Sequence, residues 1–342
     1  MLEATSLDKS FVVERDALGR VRRSLHAVDD VSLRVEPGRT LALVGESGCG
    51  KSTTAELILQ LQAPDAGSVV LDGQELTGMP SKLLRATRRR IQPVFQDPYS
   101  SLDPSQTIGS GLNELLAIHG IGSSRERVER AQRVLERVGL PSDPRALSRY
   151  PGEFSGGQRQ RVAIARALIV EPDYVVLDEA VSALDVSTQA LVLQLLIDLQ
   201  RERELGYLFI SHDLGVVRHL AHDVAVMYLG QIVEHGPAEQ IYKRPSHPYT
   251  RALLDAVPDP DPDFQHARRT RRIVVSGDPP DPTQRPAGCS FRLRCPFAHE
   301  VCAQEDPSLS EFDGRLVACH FASDVLSSDF SADGEVVEAG PA

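Results

Sequence analysis

No uninterrupted apolar run of about 18 residues or more occurs in the 342-residue chain, so it is not expected to span a membrane alone. The opening residues, MLEATSLDKSFVVERD, lack a basic stretch followed by an apolar one. No secretory signal is expected there, and the expected location is cytoplasmic. An excess of positive charge is also missing: 37 Lys and Arg stand against 48 Asp and Glu, for a net charge of −11. That balance argues against nucleic-acid binding driven by bulk charge, and no nucleic-acid partner is expected. The cluster of Lys82, Arg85, Arg88, Arg89 and Arg90 has no aromatic interleaving and reads as a solvated helix face. Cysteine is scarce: there are five, four of them bunched near the C-terminus, which excludes a disulfide framework for the whole chain.

What remains is an ordinary globular composition, 41% hydrophobic and 25% charged, at a length that suggests about two domains. The most informative stretch is LALVGESGCGKST, residues 41–53. Leu41 to Val44 read as a buried strand, Gly45 to Ser52 match G-x-x-x-x-G-K-[ST], and a helical pattern follows from Thr53. Strand, glycine-rich loop and helix together make a phosphate cradle, because glycine lets backbone N–H groups close around phosphate oxygens at a helix N-terminus. Gly45, Ser47, Gly48, Cys49, Gly50, Lys51, Ser52 and Thr53 are the expected nucleotide-binding residues. Lys51 is placed to reach the β and γ phosphates and Ser52 to ligate magnesium. Cys49 reads as a small side chain tolerated in the loop, not as a nucleophile.

Upstream of this loop, Phe11–Val13 and Ala27–Val35 read as strands, with a polar hairpin or insertion over residues 15–26. Phe11 is a candidate to stack on an adenine ring or a plain edge aromatic. Downstream, residues 68–71 and 93–95 read as strands, the second ending in Gln96, a polar group suited to contacting a metal or water. Helical patterns cover 108–118 and 125–138, the latter with Val128, Ala131, Val134, Leu135 and Val138 on one face. Ser155, Gly156, Gly157 and Gln158 open a further helix and form a second potential anion site. Tyr174–Leu177 is a buried parallel strand ending in Asp178 and Glu179. Acids at a strand's carboxyl end sit where α/β sheets bind ligands, so Asp178 is the candidate for magnesium and Glu179 for activating water. A strand at 208–210 leads to His212, placed to sense a γ phosphate or the attacking water, and residues 224–234 read as a closing hairpin. Strands and helices alternating in this way imply an α/β core.

The set resembles the ATP-binding subunits of ABC transporters over residues 1 to about 250. GESGCGKS is similar to the Walker A loop, Gln96 in VFQDP to the Q-loop, and FSGGQ (154–158) to the signature motif, with Phe154 in place of the commoner leucine. VVLDE is similar to Walker B with the catalytic glutamate, SALD (182–185) to the D-loop, and His212 to the switch histidine. Phe11 falls where that family places its adenine-stacking aromatic. FQDPYSSLDP, YPGEFSGGQRQR and HPYTRALLDAVP resemble the oligopeptide/dipeptide importer group, while Ala180-Val181 departs from its usual Pro-Thr.

The resemblance implies an α/β fold: a P-loop NTPase core of the ABC ATPase type with an N-terminal β-subdomain and an inserted helical subdomain, plus a small C-terminal extension. The implied boundaries are 1–255 for the ATP-binding domain, with the helical insert at about 97–165, then 256–322 for the extension and 323–342 for an acidic disordered tail. The implied function is Mg-ATP hydrolysis powering an importer of dipeptides or oligopeptides, with importers of nickel, glutathione or another small solute, and non-transport ABC ATPases, as alternatives. Catalysis is implied for Glu179, His212, Lys51 and Gln96, and magnesium binding for Ser52, Gln96 and Asp178. ATP is implied to lie between one subunit's Walker A loop and a partner's Ser155, Gly156, Gly157 and Gln158. The implied partners are a second ATPase subunit, a paralogue in a head-to-tail dimer, two transmembrane permease subunits and an extracytoplasmic solute-binding protein. The implied location is the cytoplasmic face of the cell membrane.

A linker at 259–262 and a short strand at 273–275 lead to Cys289, Cys295, Cys302 and Cys319. Four thiols within 31 residues suggest a metal site. Residue chemistry leaves zinc, an iron–sulfur cluster and reduced structural thiols all open. The resemblance implies a [4Fe–4S] cluster, because the group's extension carries the same GCSFRLRCPFA pattern. His299 and His320 are spare candidate ligands nearby, with a surface role as the other reading.

Overall fold

The computed structural model describes residues 1–96, 102–257 and 280–327. Asp97 and Pro98 of the VFQDP stretch, the linker at 259–262, the strand expected at 273–275 and the tail from 328 onward lie outside the described residues.

β1 (Leu2–Arg15) and β2 (Val21–Val35) pair antiparallel as one long hairpin. Asp16 closes its turn by accepting from the N–H groups of Leu18 and Arg20. The two short strands expected from sequence are therefore parts of longer ones, and the polar segment at 15–26 is the outer end of the same hairpin. That end gave no alternating pattern because residues 12–15 are exposed throughout, so no face there is selected for apolarity. β4 (Ala66–Leu71) and β5 (Gln74–Glu75) complete a four-stranded antiparallel sheet in the order β2-β1-β4-β5.

The second sheet has eight strands. β3 (Thr40–Val44) lies at its centre, with β6 (Ile91–Val94), β7 (Tyr174–Asp178) and β8 (Gly206–Ser211) to one side and β9 (Asp223–Tyr228) and β10 (Gln231–Pro237) to the other. β6, β7, β8, β3 and β9 run parallel, and β10 returns antiparallel to β9. Buried on both faces, these strands divide their side chains by the period of two. Leu41, Leu43, Val176, Leu208 and Ile210 enter the core shared with the four-stranded sheet and helix Lys51–Ile58. Ala42, Val44, Leu177 and Phe209 enter the opposite core, shared with helices Ile108–Ile118, Ser124–Arg137 and Gly156–Leu168. On helix Ser124–Arg137, Ala131, Val134 and Leu135 are buried as the spacing predicts, but Val128 is half exposed. It lies one turn nearer the N-terminus than the others, where the helix has run past the core.

The C-terminal extension joins the core sheet. β11 (Ser310–Phe312) and β12 (Arg315–Val317) form a hairpin whose second strand pairs with β10, completing the order β11-β12-β10-β9-β3-β8-β7-β6. The attachment includes a buried ion pair, Arg315 Nη1 to Glu234 Oε1 at 3.5 Å. Glu234 also accepts from the N–H groups of Ser246 and His247, so its charge is compensated where water cannot reach. Residues 323–327, placed by sequence in the disordered tail, belong instead to helix Ala322–Ser327, which buries Ala322 and Val325.

Candidate active site

The register of the parallel strands assembles the site. Val44, Asp178 and Ser211 end adjacent strands, with Val44 opposite Ser211 and Asp178 opposite Ile210. The loop after Val44, the acids after Leu177 and His212 therefore meet at one edge, at the carboxyl ends where α/β sheets place ligands.

Two glycines of the loop at 45–52 abut backbone, while Ser47, Gly48 and Ser52 stay exposed. A Cβ on Gly45 would lie 2.2 Å from the Met227 carbonyl oxygen, and one on Gly50 would lie 2.1 Å from that of Ala27. Gly50 also has a φ of 111°, so the position needs glycine twice over. Lys51 is buried, and its Nζ donates to the carbonyls of Gly45 and Glu46, each at 2.8 Å. Cys49 is buried beneath it, with burial pushing its thiol pKa up, which fits an inert packing side chain rather than a nucleophile. Ser47, Gly48 and Thr53 lie on the same loop and first helical turn.

Ser52 Oγ donates to Asp178 Oδ1 at 3.3 Å, which brings the two expected magnesium ligands together. Burial raises the Asp178 pKa, with the Glu179 charge adding to it and the Ser52 bond opposing it. A cation beside these oxygens offsets that cost, so the pair fits a divalent ion. Gln96 lies exposed two residues beyond Val94, which pairs with Leu177.

Glu179 Oε1 lies 3.2 Å from His212 Nδ1. Its backbone takes a φ of 47°, uncommon for a non-glycine residue. Its N–H donates to Ile210, while its carbonyl accepts from Ser182 N and Oγ. The turn thus holds Glu179 in a sparsely populated conformation, as functional sites often do. Ala180 and Val181 sit buried behind it, so their departure from Pro-Thr is taken up as core packing.

Phe11 pairs with Leu25 on β2, two residues before Ala27, whose carbonyl packs against Gly50. Its side chain is half-buried, with Lys9 Nζ 5.8 Å from the ring centre.

Ser155, Gly156, Gly157 and Gln158 stand apart from this group as an exposed or half-exposed helix start. Ser155 N donates to Gln158 Oε1 at 3.0 Å, and Gln158 N to Ser155 Oγ at 3.4 Å, a capping box. Phe154 is buried with the Arg149 guanidinium 4.2 Å from its ring centre, which accommodates an aromatic in place of leucine.

At the C-terminal cysteines, burial pushes the thiol of Cys289 up, that of Cys295 to about 11 and that of Cys319 to about 12, with the charges of neighbouring cysteines adding to each. Cys302 is buried, and its carbonyl accepts from Cys289 N at 2.9 Å. Among the described residues, no group of three or more His, Cys, Asp or Glu side chains is placed to hold a metal ion. The His299 ring packs against Phe321 and His320 Nε2 lies 3.1 Å from the Glu305 carbonyl.

Sequence reasoning missed the contacts of Glu46. Its N–H donates to Tyr249 Oη at 2.8 Å, and its carboxylate receives both Nη groups of Arg294. The residues lie more than 200 positions from Glu46 in the chain, and nothing in their local pattern points to it.

A family model described as "ABC transporter" matches residues 28–182, and one described as "Oligopeptide/dipeptide transporter, C-terminal region" matches residues 233–302. The chain is 47% identical to a probable peptide ABC transporter ATP-binding protein, y4tS, of Sinorhizobium fredii, over 97% of this chain and 92% of that protein. It is 46% identical to the dipeptide transport ATP-binding protein DppF of Escherichia coli, over 95% of each. The dimeric structure of MJ0796, a bacterial ABC transporter cassette, matches with a TM-score of 0.62 and 29% identity, covering 70% of this chain and 99% of that one. A second dimeric structure of that cassette, in a post-hydrolysis state bound to ADP and Pi, matches equally well. The chain belongs to the ABC transporter family, among the ATP-binding proteins that carry the oligopeptide/dipeptide transporter C-terminal region.

Proposed function

We propose that this chain is the ATP-hydrolysing subunit of a peptide importer. The observation that carries the chemistry is the convergence of Ser52–Asp178 and Glu179–His212 at neighbouring strand ends beside a complete phosphate loop. The names of its relatives and the matched C-terminal region carry the solute class, dipeptides or oligopeptides.

Loop N–H groups and Lys51 bind the β and γ phosphates, and Phe11 stacks on the adenine. Glu179 accepts the proton of the attacking water, and His212, held against its carboxylate, orients that water and the γ phosphate. Ser52, Asp178 and Gln96 would hold magnesium, which supplies charge neutralisation at the β and γ oxygens. Ser155, Gly156, Gly157 and Gln158 serve the nucleotide of a partner ATPase subunit, a paralogue in a head-to-tail dimer. The dimeric cassettes among the structural relatives support that arrangement. Among the described residues no helix is long and apolar enough to cross a membrane. The names of its relatives support a place at the cytoplasmic face of the cell membrane against two permease subunits, with a solute-binding protein in the complete system.

The assembled complex carrying Glu179→Gln tests the chemistry. It is expected to bind ATP as wild type does and to lose roughly 100-fold or more in turnover. Turnover near wild type would remove Glu179 from the role of base.

For the cysteines, the same reading assigns an iron–sulfur cluster to Cys289, Cys295, Cys302 and Cys319. Zinc is the alternative occupant for four thiols. A four-iron cluster gives each cysteine a separate iron. Four cysteines within one lobe are the donor set that such a cluster takes. Anaerobically purified protein is expected to contain iron and acid-labile sulfide, both reduced in Cys295→Ser. Their absence from wild type would leave the thiols a packing role.

A further inference from the structure

The cysteine-bearing lobe touches the phosphate loop directly. Arg294, next to Cys295, places its two Nη groups on the two carboxylate oxygens of Glu46 at 2.8 and 3.0 Å. This is a bidentate fork, the strongest geometry for an Arg–carboxylate pair. The Arg294 side chain is only 9% exposed, while that of Glu46 is 30% exposed. Its guanidinium also lies 6.0 Å from the ring centres of both Tyr228 and Phe291. Those rings pack with Tyr249 into a buried aromatic cluster, with centroid separations of 4.7 to 5.4 Å. Tyr249 in turn accepts from the Glu46 N–H.

Glu46 is thus held at its side chain by the lobe and at its main chain by Tyr249. Its carbonyl is one of the two that hold Lys51 Nζ. A continuous chain of contacts therefore runs from the turn carrying Cys295, through Arg294 and Glu46, to the lysine that binds phosphate. Resting on the reading of this loop as an ATP site, we propose that Arg294 is a positioning residue for the phosphate loop, through which the C-terminal cysteine lobe sets the affinity of the site for ATP.

The test is ATP affinity of the full-length chain, read by displacement of a fluorescent ATP analogue, with the unfolding midpoint measured alongside. Arg294→Ala and Arg294→Lys are each expected to weaken ATP binding about tenfold, since lysine keeps the charge but not the fork. Glu46→Ala should match them, and the Glu46→Ala/Arg294→Ala double variant should be no weaker than either single, because all three remove one interaction. Exchanging the charges, Glu46→Arg with Arg294→Glu, should recover part of the loss. In the assembled transporter, Arg294→Lys should raise KM for ATP and leave kcat within about twofold, a split that general destabilisation does not produce. If Arg294→Ala does not fold, Arg294→Lys carries the comparison. Affinity in the folded Arg294 variants within twofold of wild type would overturn the proposal, as would losses that multiply in the double variant. Lys51→Ala serves as the blank: wild type that binds ATP no better than this blank overturns the ATPase reading and this inference together. Wild-type binding that is indifferent to Arg294 overturns this inference alone.

Discussion

The molecule has two glycine-rich loops that open helices, and they are built in opposite ways. The loop at 45–52 is wedged against its own chain on one side, with Ser47, Gly48 and Ser52 left exposed on the other. Its Gly45 and Gly50 lie against backbone carbonyls, Lys51 is buried, and Glu46 is fixed by two partners. The loop at 155–158 faces outward, and Ser155 and Gln158 bond to each other while Gly156 has open space around it. Both are helix N-termini with the same partial positive charge. The difference is that the first is shaped by its own chain at Gly45, Glu46 and Gly50, whereas the second is open at Ser155 and Gly156 and meets its own chain at Gly157, where a Cβ would lie 2.3 Å from Thr188 Cγ2. A surface kept open in this way suits a ligand brought by another molecule, which is the arrangement of a site shared across a dimer.

The largest effect is expected at the loop at 45–52. In Gly50→Ala the new Cβ would sit 2.1 Å from the Ala27 carbonyl oxygen, at a φ of 111° that alanine rarely adopts. Backbone cannot give way as a side-chain tip can, so the cost is about 3 kcal/mol or more. Urea unfolding should show that loss, and ATP binding by the lone chain should vanish with it. A variant that unfolds as wild type does would show the loop to be less constrained than its contacts imply.

Gly156→Ala is the matching change at the open loop and should separate stability from activity. With nothing within 4 Å of the new Cβ, stability should stay within about 0.5 kcal/mol of wild type. ATP affinity of the lone chain should not move. Under the proposed sharing of the site, turnover of the assembled dimer should fall roughly 100-fold, because a methyl group would then stand where that reading brings the partner's γ phosphate to the helix N-terminus. Loss of binding in the lone chain would instead place Gly156 beside its own nucleotide and undo the contrast between the loops.

Much of this contrast was legible in the residues. The phosphate loop, the paired acids at 178–179 and His212 carry local signals: a glycine pattern, a short apolar run and a polar residue at its end. Such signals survive because strand ends in a parallel sheet converge whatever lies between them. What stayed hidden depends on pairing distant in sequence. The outer half of the first hairpin has no buried face, so its strands left no alternation. The β11–β12 hairpin adds strands of three residues each, too short for a period to show. Arg294 is one of two arginines in the GCSFRLRCPFA stretch, and only the fold brings it to Glu46, 248 positions away. The sequence shows that the chain binds a nucleotide, but only the structure shows that the lobe after residue 280 abuts the same loop.

The smallest effect tests whether the outward loop is held only by itself. Ser155→Ala removes the cap of helix Gly156–Leu168, and N-cap losses of this kind cost about 0.5–2 kcal/mol. The lower end is expected, because the Ser155 Oγ bond to Gln158 N is long, at 3.4 Å, and Ser155 is exposed to competing water. Gln158→Ala removes the reciprocal bond at 3.0 Å and should cost a similar amount. The two bonds form one box, so the double variant should lose less than the sum of the singles in urea unfolding. Losses that add fully, or that exceed about 2 kcal/mol, would mean that the loop is anchored by more of its own chain than the box. The outward loop would then be as internally committed as the loop at 45–52.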